Sequence, residues 1–150
     1  MSLGAVEINL AHLLPKAIAW AEAQARWIGD HGQPLFAGQT ELARSVGVTH
    51  PERIRIALVS AIPQPDDPAL RQAAAALGML GANTAGLTLG YGIFICTELS
   101  NRLLSHECRH VHQYEQAGSI AAFLHSYLLQ LVEYGYRQAP LEVDARAHER

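Results

Sequence analysis

Leu103-Leu104-Ser105-His106-Glu107-Cys108-Arg109-His110-Val111-His112-Gln113-Tyr114 decides the reading of this chain. Its centre, residues 106–110, spells H-E-x-x-H within a stretch whose apolar spacing is helical. Residues four apart share a helix face, so the His106 and His110 imidazoles can reach one cation. Glu107 projects beside that face, close enough to act on a metal-bound water. Two neutral imidazoles and a carboxylate base are the parts that zinc-assisted hydrolysis needs.

The motif alone does not settle the matter. With eight His and ten Glu in 150 residues, an accidental copy arises in roughly three of a hundred shuffled chains. The competing reading is an amphipathic helix carrying two solvated histidines and a surface glutamate. The flanks decide against it. Leu99, Leu103, His106, His110 and Gln113 follow one another at helical spacing, and Leu104, Cys108, Val111 and Glu115 form the adjacent stripe. The histidines therefore continue an apolar face, whereas solvated ones belong on the opposite side. A buried pair without partners is costly, and one metal ion satisfies both.

Composition narrows the field. A chain of 150 residues with 49% hydrophobic and 17% charged side chains folds as a globule, and its length suits one domain. A net charge of −3 without a basic cluster argues against nucleic acid and against an anionic membrane surface. No apolar run reaches the ~20 residues that span a bilayer. Glu7 and His12 interrupt the N-terminal stretch, which does not read as a signal peptide. Cys96 and Cys108 make no disulfide framework. Cys108 falls about 200° around the helix from His106, so it reads as a small buried residue rather than a ligand. The expected setting is cytoplasmic.

Along the chain, the periodicity predicts a helix over Leu13–Ile28 and a short one over Thr40–Val46, with Thr40 as N-cap. Arg53–Ser60 alternates and is β-branched, which predicts a strand. A turn follows at 63–68, then a helix capped by Asp67, opened by Pro68 and running to about Leu77. Residues 86–96, GLTLGYGIFIC, form a second strand or a tight hairpin broken at Gly90-Tyr91-Gly92. The motif helix runs from about Glu98 to Gln116 and stops at Gly118. Ser119–Tyr134 is another amphipathic helix, with Ile120, Leu124, Tyr127, Leu128 and Leu131 inward. Pro140 opens a last short helix. The chain divides into an N-terminal helical part, 1–50, and a remainder, 53–150, that carries the strands and the motif.

This order resembles the zincin metallopeptidases, whose H-E-x-x-H helix follows a strand and precedes a helix bearing an acidic residue. The wording LLSHECRHVHQYEQAGS…GYRQAPLEVDAR is similar to small bacterial zincin-like proteins of the gluzincin type. The resemblance covers roughly 53–150. It implies a mainly helical α+β domain with a small sheet packed on the motif helix. It further implies one Zn²⁺ held by His106, His110 and a third acidic ligand, with Glu107 as general base and a peptide or protein as substrate.

Glu133, Glu142, Asp144 and His148 are the candidates for that third ligand. Glu142 is preferred, because Pro140 fixes it in the first turn of a later helix, whereas Glu133 lies in the tail of the preceding one. Asp144 stands about 200° around the helix from Glu142 and could instead orient a ligand histidine. The chain departs from the extended metzincin pattern, with Gln113 and Gln116 in the places concerned, and position 146 of the ligand helix is Arg. His112 and His125 read as a neighbour-facing and an edge histidine. Tyr134 and Tyr136 read more readily as packing than as carbonyl-polarising groups. Leu87–Phe94 could be an edge strand that pairs with an extended peptide. The alternative function is a non-catalytic zinc module that acts by binding a partner protein.

Overall fold

The computed structural model describes residues 9–81 and 83–150. The reading of the extreme N-terminus, which turned on Glu7, lies outside these residues. Among the described residues the fold is a mainly helical α+β arrangement of six helices around one three-stranded sheet.

Helix α1, Leu10–His31, starts where the Asn9 side chain accepts a bond from the His12 N–H, and ends at Gly32. It extends three residues beyond the expected bounds at each end. Pro15 falls in its second turn and removes one backbone donor there. Helix α2, Ala37–Ser45, corrects the expected cap. Thr40 lies inside the helix, its hydroxyl donating back to the Phe36 carbonyl at 3.0 Å. The Gln39 side chain caps instead, accepting from the Phe36 N–H at 2.9 Å.

The strand expected over Arg53–Ser60 is shorter, because a 3-10 turn takes Pro51–Arg53 and leaves strand β1 at Arg55–Leu58. Helix α3, Pro68–Ala76, has Asp67 as N-cap, accepting from the Leu70 N–H at 2.9 Å. The 86–96 stretch resolves as a hairpin of β2, Gly86–Leu89, and β3, Gly92–Ile95. The sheet order is β1-β3-β2, with β3 parallel to β1 and antiparallel to β2.

Strand β3 is buried along its whole length because both faces are covered. Ile93 and Ile95 point to one cluster with Ile54 and Ile56, and Phe94 points to the other with Ile28 and Ala57. The second face meets α1 closely: a Cβ on Gly92 would stand 3.0 Å from Ile28 side-chain atoms, so only glycine admits this approach.

Helix α4, Asn101–Ala117, runs from a Ser100 N-cap to Gly118 and lays Leu104, Cys108 and Val111 on the first face of the sheet. Leu99 and Leu103 stand at the rim of that contact. Ser119 caps helix α5, Ile120–Tyr134, whose buried side includes Leu124, Tyr127, Leu128 and Leu131 as expected. Helix α6, Pro140–Ala147, returns against α4. The N-terminal helical part is not a separate layer, since α1 packs on the sheet and on α5. No described helix is long and apolar enough to cross a membrane.

Candidate metal centre

The middle turns of α4 meet the first turn of α6, so that His106, His110 and Glu142 converge. Glu142 sits in the first turn of α6, which Pro140 sets, and is almost fully buried. His106 Nε2 lies 3.3 Å from Glu142 Oε1. His110 Nε2 lies 3.1 Å from Glu142 Oε2. Each residue offers one donor atom, and the three atoms lie within 4.8 Å of one another. Glu142 Oε1 is buried without a hydrogen-bond partner, a costly condition for a carboxylate oxygen.

The far side of each imidazole is fixed. His106 Nδ1 donates to Glu149 Oε2 at 2.8 Å, and Arg102 Nε donates to the other oxygen of that carboxylate at 2.8 Å. His110 Nδ1 donates to Gln113 Oε1 at 2.7 Å. Gln113 in turn donates through Nε2 to the Leu141 carbonyl at 2.9 Å and to Asp144 Oδ2 at 2.8 Å. Arg109 clamps Asp144 with two bonds, at 2.8 and 3.2 Å. These partners leave both Nε2 lone pairs directed at the point that Glu142 faces. Tyr127 completes the group by donating its hydroxyl to Glu142 Oε2 at 2.7 Å.

The charges are mutually dependent. Burial raises the Glu142 carboxyl, but the adjoining His106 and His110 imidazoles and the Tyr127 hydroxyl overcome it and hold the group well below the usual carboxylate range. Burial lowers His110, yet Glu142 beside it and the charge of Glu107 raise it to about 9. His106 is raised by the same carboxylates against its own burial.

Glu107 stands beside this group without joining it. Its carboxylate is held from the sheet, with Thr88 Oγ1 at 2.8 Å from Oε1 and 3.2 Å from the Glu107 carbonyl, so the single hydroxyl proton serves one at a time. Tyr114 steadies Thr88 by donating to its carbonyl at 3.1 Å. Gly86 makes the room: a Cβ there would stand 3.2 Å from Glu107 Cγ and Cδ and 3.1 Å from Ile95 Cδ1.

Two spaces meet at Glu107. A polar cleft of about 650 Å³ reaches it from solvent past Asn83, Arg102, His106 and Tyr136. A smaller pocket of about 50 Å³ lies on its inner side, bounded by His110, Tyr127 and Glu142 and, opposite, by leucines of β2 and α5.

The other sequence candidates separate clearly. Glu133 is exposed on α5. Asp144 lies behind Gln113, and His148 Nδ1 donates to the Asp144 carbonyl at 2.8 Å. His112 donates to the Gly47 carbonyl at 2.9 Å, and His125 is exposed. Tyr134 is exposed, whereas Tyr136 lines both the cleft and the inner pocket. Sequence reasoning missed Glu149, Thr88 and the anchoring by Tyr127. Gln113 carried a readable signal, three residues after His110; Glu149 lies 43 residues from His106 and carried none. Comparison with family models, with curated proteins and with solved structures finds no match to this chain.

Proposed function

We propose that this chain is a zinc-dependent metallopeptidase of zincin-like type, in which His106, His110 and Glu142 hold the ion and Glu107 is the general base. One observation carries the reading: two Nε2 atoms and a buried carboxylate face one point, each from a fixed back, and a further carboxylate stands beside them unligated. The spacing supports zinc. Tetrahedral ligands with bonds of roughly 2.0–2.1 Å stand roughly 3.3 Å apart; each imidazole Nε2 stands 3.3 or 3.1 Å from its own Glu142 oxygen, and one donor atom from each residue lies within 4.8 Å of the others. The orphaned Glu142 Oε1 gains a partner when a cation is present. Two imidazoles and one carboxylate are a donor set that zinc accepts.

Bound zinc would supply a Lewis acid and bring its water to a pKa of about 7. The remaining work falls to the protein. Glu107 Oε2, free of Thr88, takes the proton of the attacking water and returns it to the leaving amine. Thr88 and Gly86 hold that carboxylate at the junction of cleft and pocket. Gln113 and Glu149 keep both imidazoles in one tautomer. Strand β2 lies at the edge of the sheet, and its outward backbone groups other than the Thr88 carbonyl, which Tyr114 occupies, are offered to an extended peptide in the cleft.

A purely structural zinc module would close its metal with four protein ligands. Among the described residues no fourth His, Cys, Asp or Glu joins the group, and the cleft leads to it. Both points favour catalysis. The test measures zinc per chain and cleavage of a mixed-peptide library by mass spectrometry. The wild type should hold one zinc and His106→Ala none. Glu107→Gln should keep the zinc and the melting temperature while cleavage falls about 10²- to 10⁴-fold. Equal zinc in wild type and His106→Ala sinks the proposal, as do cleavage products that survive Glu107→Gln undiminished.

A further inference from the structure

A separate polar hollow of about 410 Å³ shares no lining residue with the cleft or with the inner pocket. It lies where α1 passes the 3-10 turn, the start of β1 and the β2–β3 turn. Arg26, Arg53 and Arg55 line it, against one acidic side chain, Glu22. Arg26 is far from the other two in sequence, so the basic cluster is assembled by the fold. Like charges gathered in one place repel, and an anion among them removes that cost. The salt bridges of the described residues that involve Lys or Arg use Lys16, Arg44, Arg102 and Arg109, and none of these three.

Two of the guanidinium groups are held from behind with donors to spare. Arg55 Nη1 donates to the Glu52 and Ile54 carbonyls at 3.0 and 2.8 Å, and its Nε and Nη2 meet no acceptor among the described residues. Arg53 lies over the Tyr91 ring, its Cζ 4.5 Å from the centroid. That ring is itself fixed. The Tyr91 hydroxyl donates to Glu115 at 2.8 Å, and the same carboxylate accepts from the Thr49 and His50 N–H groups at 2.8 and 2.9 Å. Arg26 stands exposed at the rim. Glycines clear the floor: the close approach of α1 keeps Gly92 bare, and a Cβ on Gly29 would meet nothing within 4 Å. The hollow therefore combines prepositioned forks with open space in front of them.

We propose that this hollow binds the phosphate group of a small organic molecule. It is a second site, and it does not rest on the metallopeptidase reading. Phosphate suits it better than a carboxylate does. A guanidinium fork pairs with two oxygens, so a carboxylate is used up by one arginine, whereas a phosphate monoester presents three oxygens and bridges several. The volume exceeds that of the bare ion and leaves room for an organic part. Glu22, one turn before Arg26, lines the same space and accepts from a hydroxyl or amino group of that part. Three arginines in one concave place, with an acidic neighbour, do not make the extended basic track on which a nucleic-acid backbone or an anionic bilayer is held.

Calorimetric titration of the zinc-free protein tests this without metal or turnover. The probes are inorganic phosphate, glycerol 3-phosphate, succinate and a short oligothymidylate, at one ionic strength and at pH 8, where the phosphates are doubly charged. Both phosphates should bind saturably at one site per chain, glycerol 3-phosphate at least as tightly as the ion and roughly tenfold more tightly than succinate. Arg53→Gln and Arg55→Gln should each weaken glycerol 3-phosphate roughly tenfold, and Arg26→Gln less. Arg55 also bonds two carbonyls, so melting temperatures are read beside each titration; exposed Arg53 and Arg26 give variants free of that burden. Glu22→Gln should tighten inorganic phosphate, an effect that damage to the fold does not produce. Absence of saturable phosphate binding overturns the proposal, as does binding that Arg53→Gln and Arg55→Gln both leave unchanged in folded protein. Succinate bound as tightly as glycerol 3-phosphate overturns the choice of phosphate. Inorganic phosphate bound without glycerol 3-phosphate, or an oligothymidylate bound far more tightly than either, overturns the small organic ligand.

Discussion

The two faces of the sheet are packed to different ends. On the α4 face, Ala43, Ile54, Ile93, Cys108 and Val111 are all 0% exposed. On the other, Leu70 is 8%, Ala73 and Ala74 7% and Leu80 7% exposed, and the residual surface faces a chamber. The same residue type means different things in the two places. Ala43 fills its site, whereas Ala73 and Ala74 leave theirs unfilled. The sealed face fixes where α4 stands.

The sharpest way to break this comparison uses α4 itself. Leu104 belongs to the sealed face, and Leu104→Ala should cost about 2–5 kcal/mol of stability, the usual range for a buried leucine whose site cannot collapse. Its zinc stoichiometry should stay near that of the wild type wherever the variant remains folded. Chemical denaturation and metal analysis check both. A Leu104→Ala protein that is stable but loses its zinc would mean that the two faces are not separable.

Why the sequence disclosed one part and not the other follows from the same division. His106, Glu107 and His110 lie within one turn of helix, so their joint direction is a local property and was readable. Glu142 was reachable because Pro140 fixes the start of its helix. The six helices and the hairpin showed through period and turn chemistry, although Thr40 was misplaced, since its hydroxyl serves equally well inside a helix and at its cap. Glu149, Thr88 and Tyr127 reach the centre from separate elements, through contacts that only tertiary packing creates. The chamber is a property of Ala17, Ala21, Ala73 and Ala74 together, and a stripe of alanines reads equally well as close packing.

Enlarging an alanine on each face sharpens the contrast. Ala43→Leu forces three more heavy atoms of hydrocarbon into a filled cluster and should cost about 1–3 kcal/mol. Ala74→Leu has open space before it and should cost far less. Denaturant midpoints of the two variants, compared at equal slope, measure the difference. Equal losses would show that the chamber is as tightly packed as the sealed cluster.

Side chains behind the ligands should matter less than the ligands themselves. Gln113→Ala frees His110 Nδ1 and removes one of the bonds to Asp144, which Arg109 still holds, and Glu149→Ala frees His106 Nδ1. Each should weaken zinc about 10- to 100-fold while leaving one zinc bound at saturation. Competition with a chromogenic chelator reads this directly. Unchanged affinity in both variants would remove the orienting role argued for the network.

The smallest effect concerns pH, and it should come from the ligand side alone. The sealed cluster holds nothing that titrates near neutrality: burial, then the charge of Glu107, push Cys108 up to about 12. Tyr91 at its rim is pushed up to about 12 by burial and by its bond to Glu115. In the metal-free protein His110 is raised to about 9 by Glu142 and Glu107 against its own burial. A group whose pKa is higher folded than unfolded stabilises the fold below its unfolded value, about 6.5, and loses that contribution as pH rises through the folded one. The metal-free protein should therefore melt a few degrees lower at pH 9 than at pH 6.5. Zinc reverses the trend, because each protonated imidazole must lose its proton to bind, and affinity rises by up to roughly tenfold per pH unit for each proton displaced. The gap in melting temperature between zinc-loaded and metal-free protein should widen from pH 6.5 to 9. Glu142→Gln removes the charge that raises His110, so the decline of the metal-free protein should flatten in that variant. A wild-type curve that is already level over this range, with or without zinc, would mean that His110 and Glu142 do not form the charged pair on which the metal centre is built.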